Sequence, residues 1–209
     1  MNTPFEYVRP EDIERRSMEL IEAELNAPLS ADIAPVVKRV IHTTADFDYA
    51  ETLRFSPDAV ERGRTALKQG CTVVTDTTMA QSGINKRALG ALGARTECFI
   101  AHPEVVRMAR ECGCTRSAAA VDYAAATLTG PLLFAIGNAP TALIRLCELV
   151  EAGSLRPELV IGVPVGFVNV VEAKELALTL PVPTIVACGR KGGSTVAAAI
   201  VNALLYLER

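Results

Sequence analysis

Hydrophobic positions change their period along this chain. Ile33, Val36, Val37, Val40 and Ile41 recur at helical spacing, which predicts an amphipathic helix over 31–41 with Ser30 placed to cap it. A more polar stretch at 11–25 reads as an earlier helix. Ser56-Pro57-Asp58 opens another with a cap residue, a first-turn proline and an acid, and Gly70 closes it. Short continuous apolar runs then stand at 71–75, 98–101, 132–136, 159–163 and 184–188. Each is too short for a core helix and unbroken enough for a strand covered on both faces. Helical stretches separate them at 103–111, 116–128, 140–152, 169–178 and 194–207, the last rich in alanine. This alternation predicts an α/β fold: a doubly wound three-layer sandwich, with a mostly parallel sheet of about five strands and helices on both faces.

Ligands in such sheets bind beyond the carboxyl ends of the strands. The segments expected there are polar or carry glycine. They are Thr75-Asp-Thr-Thr-Met-Ala-Gln-Ser-Gly-Ile-Asn-Lys86, Gly137-Asn-Ala-Pro-Thr141, Gly162-Val-Pro-Val-Gly-Phe-Val-Asn169 and Gly189-Arg-Lys-Gly-Gly-Ser194. Several such loops on one edge point to a broad, flat or large ligand.

The 209 residues suffice for a sizeable core and predict a single domain over 1–209. Half of them are hydrophobic, yet no run approaches the roughly 18 uncharged apolar residues of a membrane span. The start carries Glu6 and Arg9 and no apolar signal core, so no secretion signal is expected. A net charge of -3 argues against a general binder of nucleic acid or anionic membrane, while leaving room for a local basic pocket. Of the six cysteines, Cys71, Cys98, Cys147 and Cys188 fall in apolar runs and read as buried thiols. Cys112 and Cys114 form a Cys-x-Cys pair with no second pair at metal-site spacing, so no metal site is expected. A chain of this length does not depend on disulfides, which suits a reducing cytoplasm.

One of only two histidines, His42, sits where the second helix gives way to a polar loop. Lys38 and Arg39 precede it by four and three positions and project to roughly the same side, and Asp46 and Asp48 follow. A proton donor in this company suits proton transfer near an anionic ligand; the alternative is a core or capping histidine. His102, before Pro103 at a strand end, reads as a surface or capping residue. The turn at 189–194 is either an ordinary strand-to-helix connection or an anion site, with free N–H groups and the charges of Arg190 and Lys191. It is not a Walker loop, and it is not Gly-x-Gly-x-x-Gly either, so dinucleotide binding has little support. Asn138 and Thr141 either cap the next helix or present donors to a ligand. Arg116, at the start of an alanine-rich helix, is either solvated or an anion clamp; the helix dipole disfavours a cation there, which leans toward a ligand. Ser17 belongs to a polar helix face or bonds a ligand, and Asp76, Asn85 and Lys86 are structural or substrate-facing. No Gly-x-Ser-x-Gly elbow, His-Glu-x-x-His pair or cysteine–histidine nucleophile stands out.

Four segments together resemble the precorrin-8X methylmutases, also called precorrin isomerases. They are Ile41-His-Thr-Thr-Ala-Asp-Phe-Asp-Tyr49, Ile136-Gly-Asn-Ala-Pro-Thr-Ala142, Gly162-Val-Pro-Val-Gly-Phe-Val168 and Gly189-Arg-Lys-Gly-Gly-Ser194. The resemblance runs from Arg16-Ser17 to the last helix. The Ala45-Asp-Phe-Asp-Tyr-Ala50 version is similar to the cobalt-first, anaerobic branch, which acts on cobalt-precorrin-8. Ala173, where serine is frequent, and His102, where an acid is common, depart from the pattern. The resemblance implies an isomerase of corrin synthesis toward cobalamin. It would move a methyl group from C-11 to C-12 of the macrocycle, giving hydrogenobyrinate or its cobalt form, cobyrinate. It implies His42 as the catalytic proton donor, with substrate contacts at Ser17, Arg39, Arg116 and the Arg190 loop. Thr43, Asn85, Lys86, Asn138, Thr141 and Lys191 complete the expected substrate-binding set. It also implies a homodimer whose two sites lie near the subunit boundary.

Chemistry and residues agree. A methyl shift around a conjugated ring needs no external redox cofactor, so none is expected. Protonating a ring nitrogen alters the ring's electron demand, and histidine is the side chain that ordinarily titrates near neutrality. Arg39 and Arg116 are expected to hold peripheral carboxylates through their planar forks, and backbone N–H groups at the glycine-rich turns to take others. A polyanionic tetrapyrrole reconciles a mildly acidic chain with a cluster of Lys38, Arg39, Arg116, Arg190 and Lys191. The competing readings are a tetrapyrrole carrier without chemistry and a phosphate-ligand enzyme using the turn at 189–194.

Overall fold

In the computed structural model, which describes residues 5–207, helices flank a six-stranded sheet. Residues 1–4 and 208–209, part of the expected domain and of the expected signal-free start, lie outside the described residues. The chain runs through α1 (Ile13–Glu24), α2 (Ala34–Thr44), α3 (Tyr49–Thr52), β1 (Leu53–Phe55), α4 (Ala59–Lys68) and β2 (Thr72–Thr75). It continues through α5 (Thr78–Gly83), α6 (Lys86–Ala91), β3 (Arg95–Glu97), α7 (Pro103–Cys112), α8 (Arg116–Thr127) and β4 (Leu132–Ile136). α9 (Pro140–Glu151), β5 (Leu159–Gly162), α10 (Val170–Leu178), β6 (Thr184–Ala187) and α11 (Ser194–Tyr206) complete it.

The strands lie in the order β1-β6-β5-β4-β2-β3. All pairs are parallel except β1 with β6, where Leu53 faces Ala187 and Phe55 faces Ile185. From β2 the chain steps to β3 on one side and then crosses to β4 on the other. The winding reverses between β2 and β4, the place where such sheets open a crevice at their carboxyl edge.

The expected doubly wound sandwich is present. α2, α4, α5 and α11 form one helical layer, with Val36, Val40, Leu67, Ile200 and Leu204 packed toward Leu159, Ile161 and Ile185 of the sheet. α8, α9 and α10 cover the other face over Phe134, Val160 and Val186, and α7 packs against α8. β2, β4, β5 and β6 bury every residue, which explains their continuous apolar runs. α11 buries Ala197, Ala198, Ala199 and Ala203, so α2 and α5 can approach it closely. Its larger buried residues, Ile200 and Leu204, each stabilise by about 1.5–3 kcal/mol.

Several expectations change. The sheet has six strands rather than about five, because residues 53–55 add a short antiparallel edge; three residues leave no period to detect. The run at 98–101 is not a strand. β3 lies just before it on an exposed edge, and Phe99 turns to pack edge-on against Tyr123, ring centroids 5.1 Å apart. The segment at 75–86 contains α5, capped by Thr77, and leads into α6, capped by Asn85. α2 starts at Ala34, and Ser30 contributes its carbonyl, which accepts from the N–H groups of Ile33 and Ala34, in place of a side-chain cap. Cys98 and Cys188 are only half-buried. Cys71 and Cys147 are fully buried, and desolvation pushes both thiols up to about 12. Among the described residues, no helix is long and apolar enough to cross a membrane. Among them, too, no group of three or more His, Cys, Asp or Glu is placed to hold a metal.

Candidate active site

Loops from four strands merge into one surface at the carboxyl edge. The turns after β4 and β6 touch: a Cβ on Gly137 would stand 2.8 Å from the Gly193 carbonyl oxygen. Gly192 is tighter, since a Cβ there would lie 2.2 Å from the carbonyl oxygen of Val163, just past β5. Only a residue without a side chain permits either approach. Beyond β2, Thr77 Oγ1 and Ser194 Oγ share a 2.7 Å hydrogen bond that joins this loop to the start of α11.

Two buried charges order these loops. Asp76, 4% exposed, accepts from the N–H groups of Gly137, Asn138 and Ala139 at 2.9, 2.8 and 2.7 Å. Burial pushes its carboxyl pKa up, while the three N–H donors pull it down. Lys174 on α10, 1% exposed, donates from Nζ to the carbonyls of Gly189 and Lys191 at 2.8 and 2.7 Å. Desolvation pulls its pKa down to about 8, against an opposing pull from Cys188.

His42 is exposed on the last turn of α2. The helix closes at Ala45, which takes a left-handed conformation (φ 52) and donates its N–H to Ile41. Lys191 Nζ then donates to Asp46 Oδ2 and Asp48 Oδ2, each at 2.6 Å. This bridge fastens the segment after His42 to the turn after β6. It raises the Lys191 pKa further and holds the Asp46 carboxyl below its ordinary value.

Five other expected residues share this edge. Thr141 Oγ1 bonds Thr115 Oγ1 at 2.8 Å, joining the first turn of α9 to the start of α8, where Arg116 is exposed. Asn138 is held by its backbone to Asp76 and leaves its side chain exposed. Arg190 lies over Phe167, 5.5 Å from the ring centre, a cation–π contact. Thr43 is exposed near His42, and its Oγ1 donates back to the Arg39 carbonyl at 2.9 Å.

Arg39 and Asn85, with Lys86 next to it, group elsewhere, around the far end of α11, and Ser17 lies on α1. Arg39 pairs with Glu14 of α1 and lies over the Tyr206 ring, 5.1 Å from its centre. Asn85 Nδ2 donates to Tyr206 Oη at 3.0 Å, while its Oδ1 accepts from the Ala88 N–H. That amide is committed at both ends, tying the start of α6 to the end of α11. Tyr206 closes a helix of 13 residues, about 18 Å from Ser194 at 1.5 Å per residue. Ser17 Oγ donates back to the Ile13 carbonyl at 2.8 Å, and Lys86 is exposed at the start of α6.

The cations therefore do not form one bare patch. Lys38 pairs with Glu22, Arg39 with Glu14, and Lys191 with Asp46 and Asp48. The N–H groups at 137–139 are also not open to a substrate carboxylate, because Asp76 occupies all three. A cavity of about 350 Å³ is bordered by Met18, Pro35, Lys38, Arg39, Ala203 and Tyr206. A larger one, about 410 Å³, lies between α4 and the start of α2. His42 lines neither, but helical spacing places it one turn beyond Arg39 on the same side of α2. His102 is the capping residue expected: its Nδ1 accepts from the Glu104 N–H at 3.3 Å, and Nε2 meets Tyr123 Oη at 3.2 Å.

Sequence reasoning missed Lys174 and Tyr206 and left Asp76 undecided. A signal for Lys174 existed: it shares the spacing of Val170, Ala173 and Ala177, the buried stripe of α10. Tyr206 and Asp76 carried none, since their partners are distant in the chain.

Comparison with known proteins agrees with the geometry. The profile of the family described as precorrin-8X methylmutase matches residues 12–207. A cobalt-precorrin-8 methylmutase of Salmonella typhimurium is 54% identical over 171 residues, 82% of this chain and 80% of that protein. A precorrin-8X methylmutase of Pseudomonas aeruginosa is 41% identical over 203 residues, 95% of this chain and 97% of that one. The crystal structure of a precorrin-8X methylmutase from Thermus thermophilus superposes with a TM-score of 0.86 at 43% identity, covering 94% of this chain and 96% of that one. The chain belongs to the precorrin-8X methylmutase family.

Proposed function

We propose that this isomerase moves a methyl group from C-11 to C-12 of precorrin-8 or cobalt-precorrin-8, with His42 as proton donor and acceptor. One observation carries the reading. His42 is exposed at the carboxyl edge of the sheet, and the segment after it is fastened there by Lys191. The substrate disc lies against that edge. His42 protonates a ring nitrogen, the C-11–methyl bond breaks as the C-12–methyl bond forms on the same face, and the proton returns to the imidazole. Atoms and electrons balance within the substrate, so the chain supplies only a borrowed proton and orientation.

Exposed Arg116 and Arg190 meet the peripheral carboxylates. Arg39 joins them by exchanging Glu14, an exposed partner whose ion pair is cheap to give up. All of residues 1–209 act as one domain, in the cytoplasm and as a homodimer. Phe167 and Val168, 82% and 78% exposed beside Arg190, support a second copy near the site.

The test is to mix the protein with precorrin-8 and with cobalt-precorrin-8 and follow the absorption spectrum. Conversion is expected, and His42→Ala is expected to slow it about 10²- to 10⁴-fold while corrinoid binding persists. Binding without conversion by the wild type would leave a carrier, and near-normal turnover by His42→Ala would remove the acid role. Light scattering reads the dimer.

A further inference from the structure

Two charged side chains are buried among the described residues, Asp76 and Lys174. Asp76 meets donors on the adjoining strand end. Lys174 meets no carboxylate among the described residues; its Nζ partners there are two carbonyls, Gly189 and Lys191. Burying an ammonium this way is expensive, and an apolar residue would fill the same stripe of α10 without that penalty.

The two carbonyls stand two residues apart, so the turn curls around the ammonium, helped by Gly189 at φ +77. The outer side of the same turn carries Arg190 and Lys191. Lys191 is thus held at both ends. Lys174 grips its carbonyl from inside the core, and Asp46 and Asp48 grip its Nζ at the surface. Those two carboxylates follow His42 by four and six residues.

We propose that Lys174 is a positioning residue: from the core it sets the turn at 189–191 so that Lys191 reaches Asp46 and Asp48 and holds the His42 segment at the sheet edge. The inference rests on the substrate and the role of His42 given above. Lys174 touches no reacting atom and acts through Lys191.

The experiment compares the full-length wild type with Lys174→Met and Lys174→Arg by amide hydrogen exchange and steady-state kinetics. Lys174→Met is expected to speed exchange at least tenfold at 189–193 and at 46–50 while β4 and β5 stay protected. It is also expected to raise KM for the precorrin at least fivefold and to lower kcat. Lys174→Arg, which keeps a charged donor, is expected to recover most of both. A merely structural lysine would lower the maximal rate through lost active protein at unchanged KM and would loosen α10 and β5 instead of 46–50; that pattern overturns the proposal. Should Lys174→Met fail to fold, Lys174→Gln is read in its place, and failure of both variants to fold also overturns it. A wild type that converts no precorrin removes the functional reading, while the exchange pattern still decides the role of Lys174.

Discussion

After β4, three backbone N–H groups converge on the buried carboxylate of Asp76; after β6, two backbone carbonyls converge on the buried ammonium of Lys174. The two turns touch through Gly137 and Gly193, yet their wiring is opposite. Converging N–H groups ordinarily make an anion receptor. Here the chain supplies its own anion, so the turn after β4 is satisfied before any ligand arrives. The turn after β6 points its carbonyls inward and its cationic side chains outward. On the proposed reading, recognition of a carboxylate at this edge falls to Arg190 and Arg116, while Lys191 stays paired with Asp46 and Asp48 and the backbone serves as scaffold.

The largest effect should come from cutting the β4 turn off from its anion. Asp76→Ala strands three N–H donors and is expected to cost about 3–5 kcal/mol in urea denaturation. A loss below about 1 kcal/mol would show that water replaces the carboxylate. Next comes the contact between the turns. Gly137→Ala pushes a methyl group against Gly193 and Ser194, at an expected cost of about 1–3 kcal/mol, read as a fall in Tm. Smaller still in stability is the double change Asp46→Asn with Asp48→Asn. These groups are solvent-screened, so the denaturation midpoint should hardly move while turnover falls; a large midpoint shift would make the bridge part of the core fold.

Titration sharpens the contrast without a mutation. The pKa of Asp76 is raised by burial, so on acidification the folded protein protonates it before the unfolded chain would. Its term in stability is present at low pH and is lost as pH rises through the raised value. Asp46 runs the other way: its pKa is lowered, chiefly by Lys191, so its term is present above the ordinary carboxylate value and is lost as pH falls through the lowered one. Carboxyl carbon NMR should place Asp76 above the ordinary value of 3.8 and Asp46 below it. Coincident titrations would erase the distinction between the two turns.

Much of the scaffold was legible because it rests on local signals. Pro140, Thr115 and the strand runs at 132–136, 159–163 and 184–188 mark elements that the structure keeps within a residue or two. β1 escaped because its support comes from β6, far along the chain, and β3 was displaced because the apolar run beside it serves a helix contact at Tyr123. In the site, His42 and the turn at 189–194 stood out by charge and glycine content, whereas their meeting through Lys191 could not be read from spacing. Lys174 and Asp76 were harder: each makes its bonds to backbone atoms 15 to 63 residues away, and backbone atoms leave no mark in a sequence.

α2 packs chiefly on α11, and β1 pairs only with β6. The helix that carries His42 stands early in the order of elements, while β6 and α11 are the last two among the described residues. A nascent chain paused after β5 already contains the imidazole but has no seat for it. On the role proposed for His42, a chain that stops before β6 and α11 leaves the imidazole unsupported even when most of the sheet has formed.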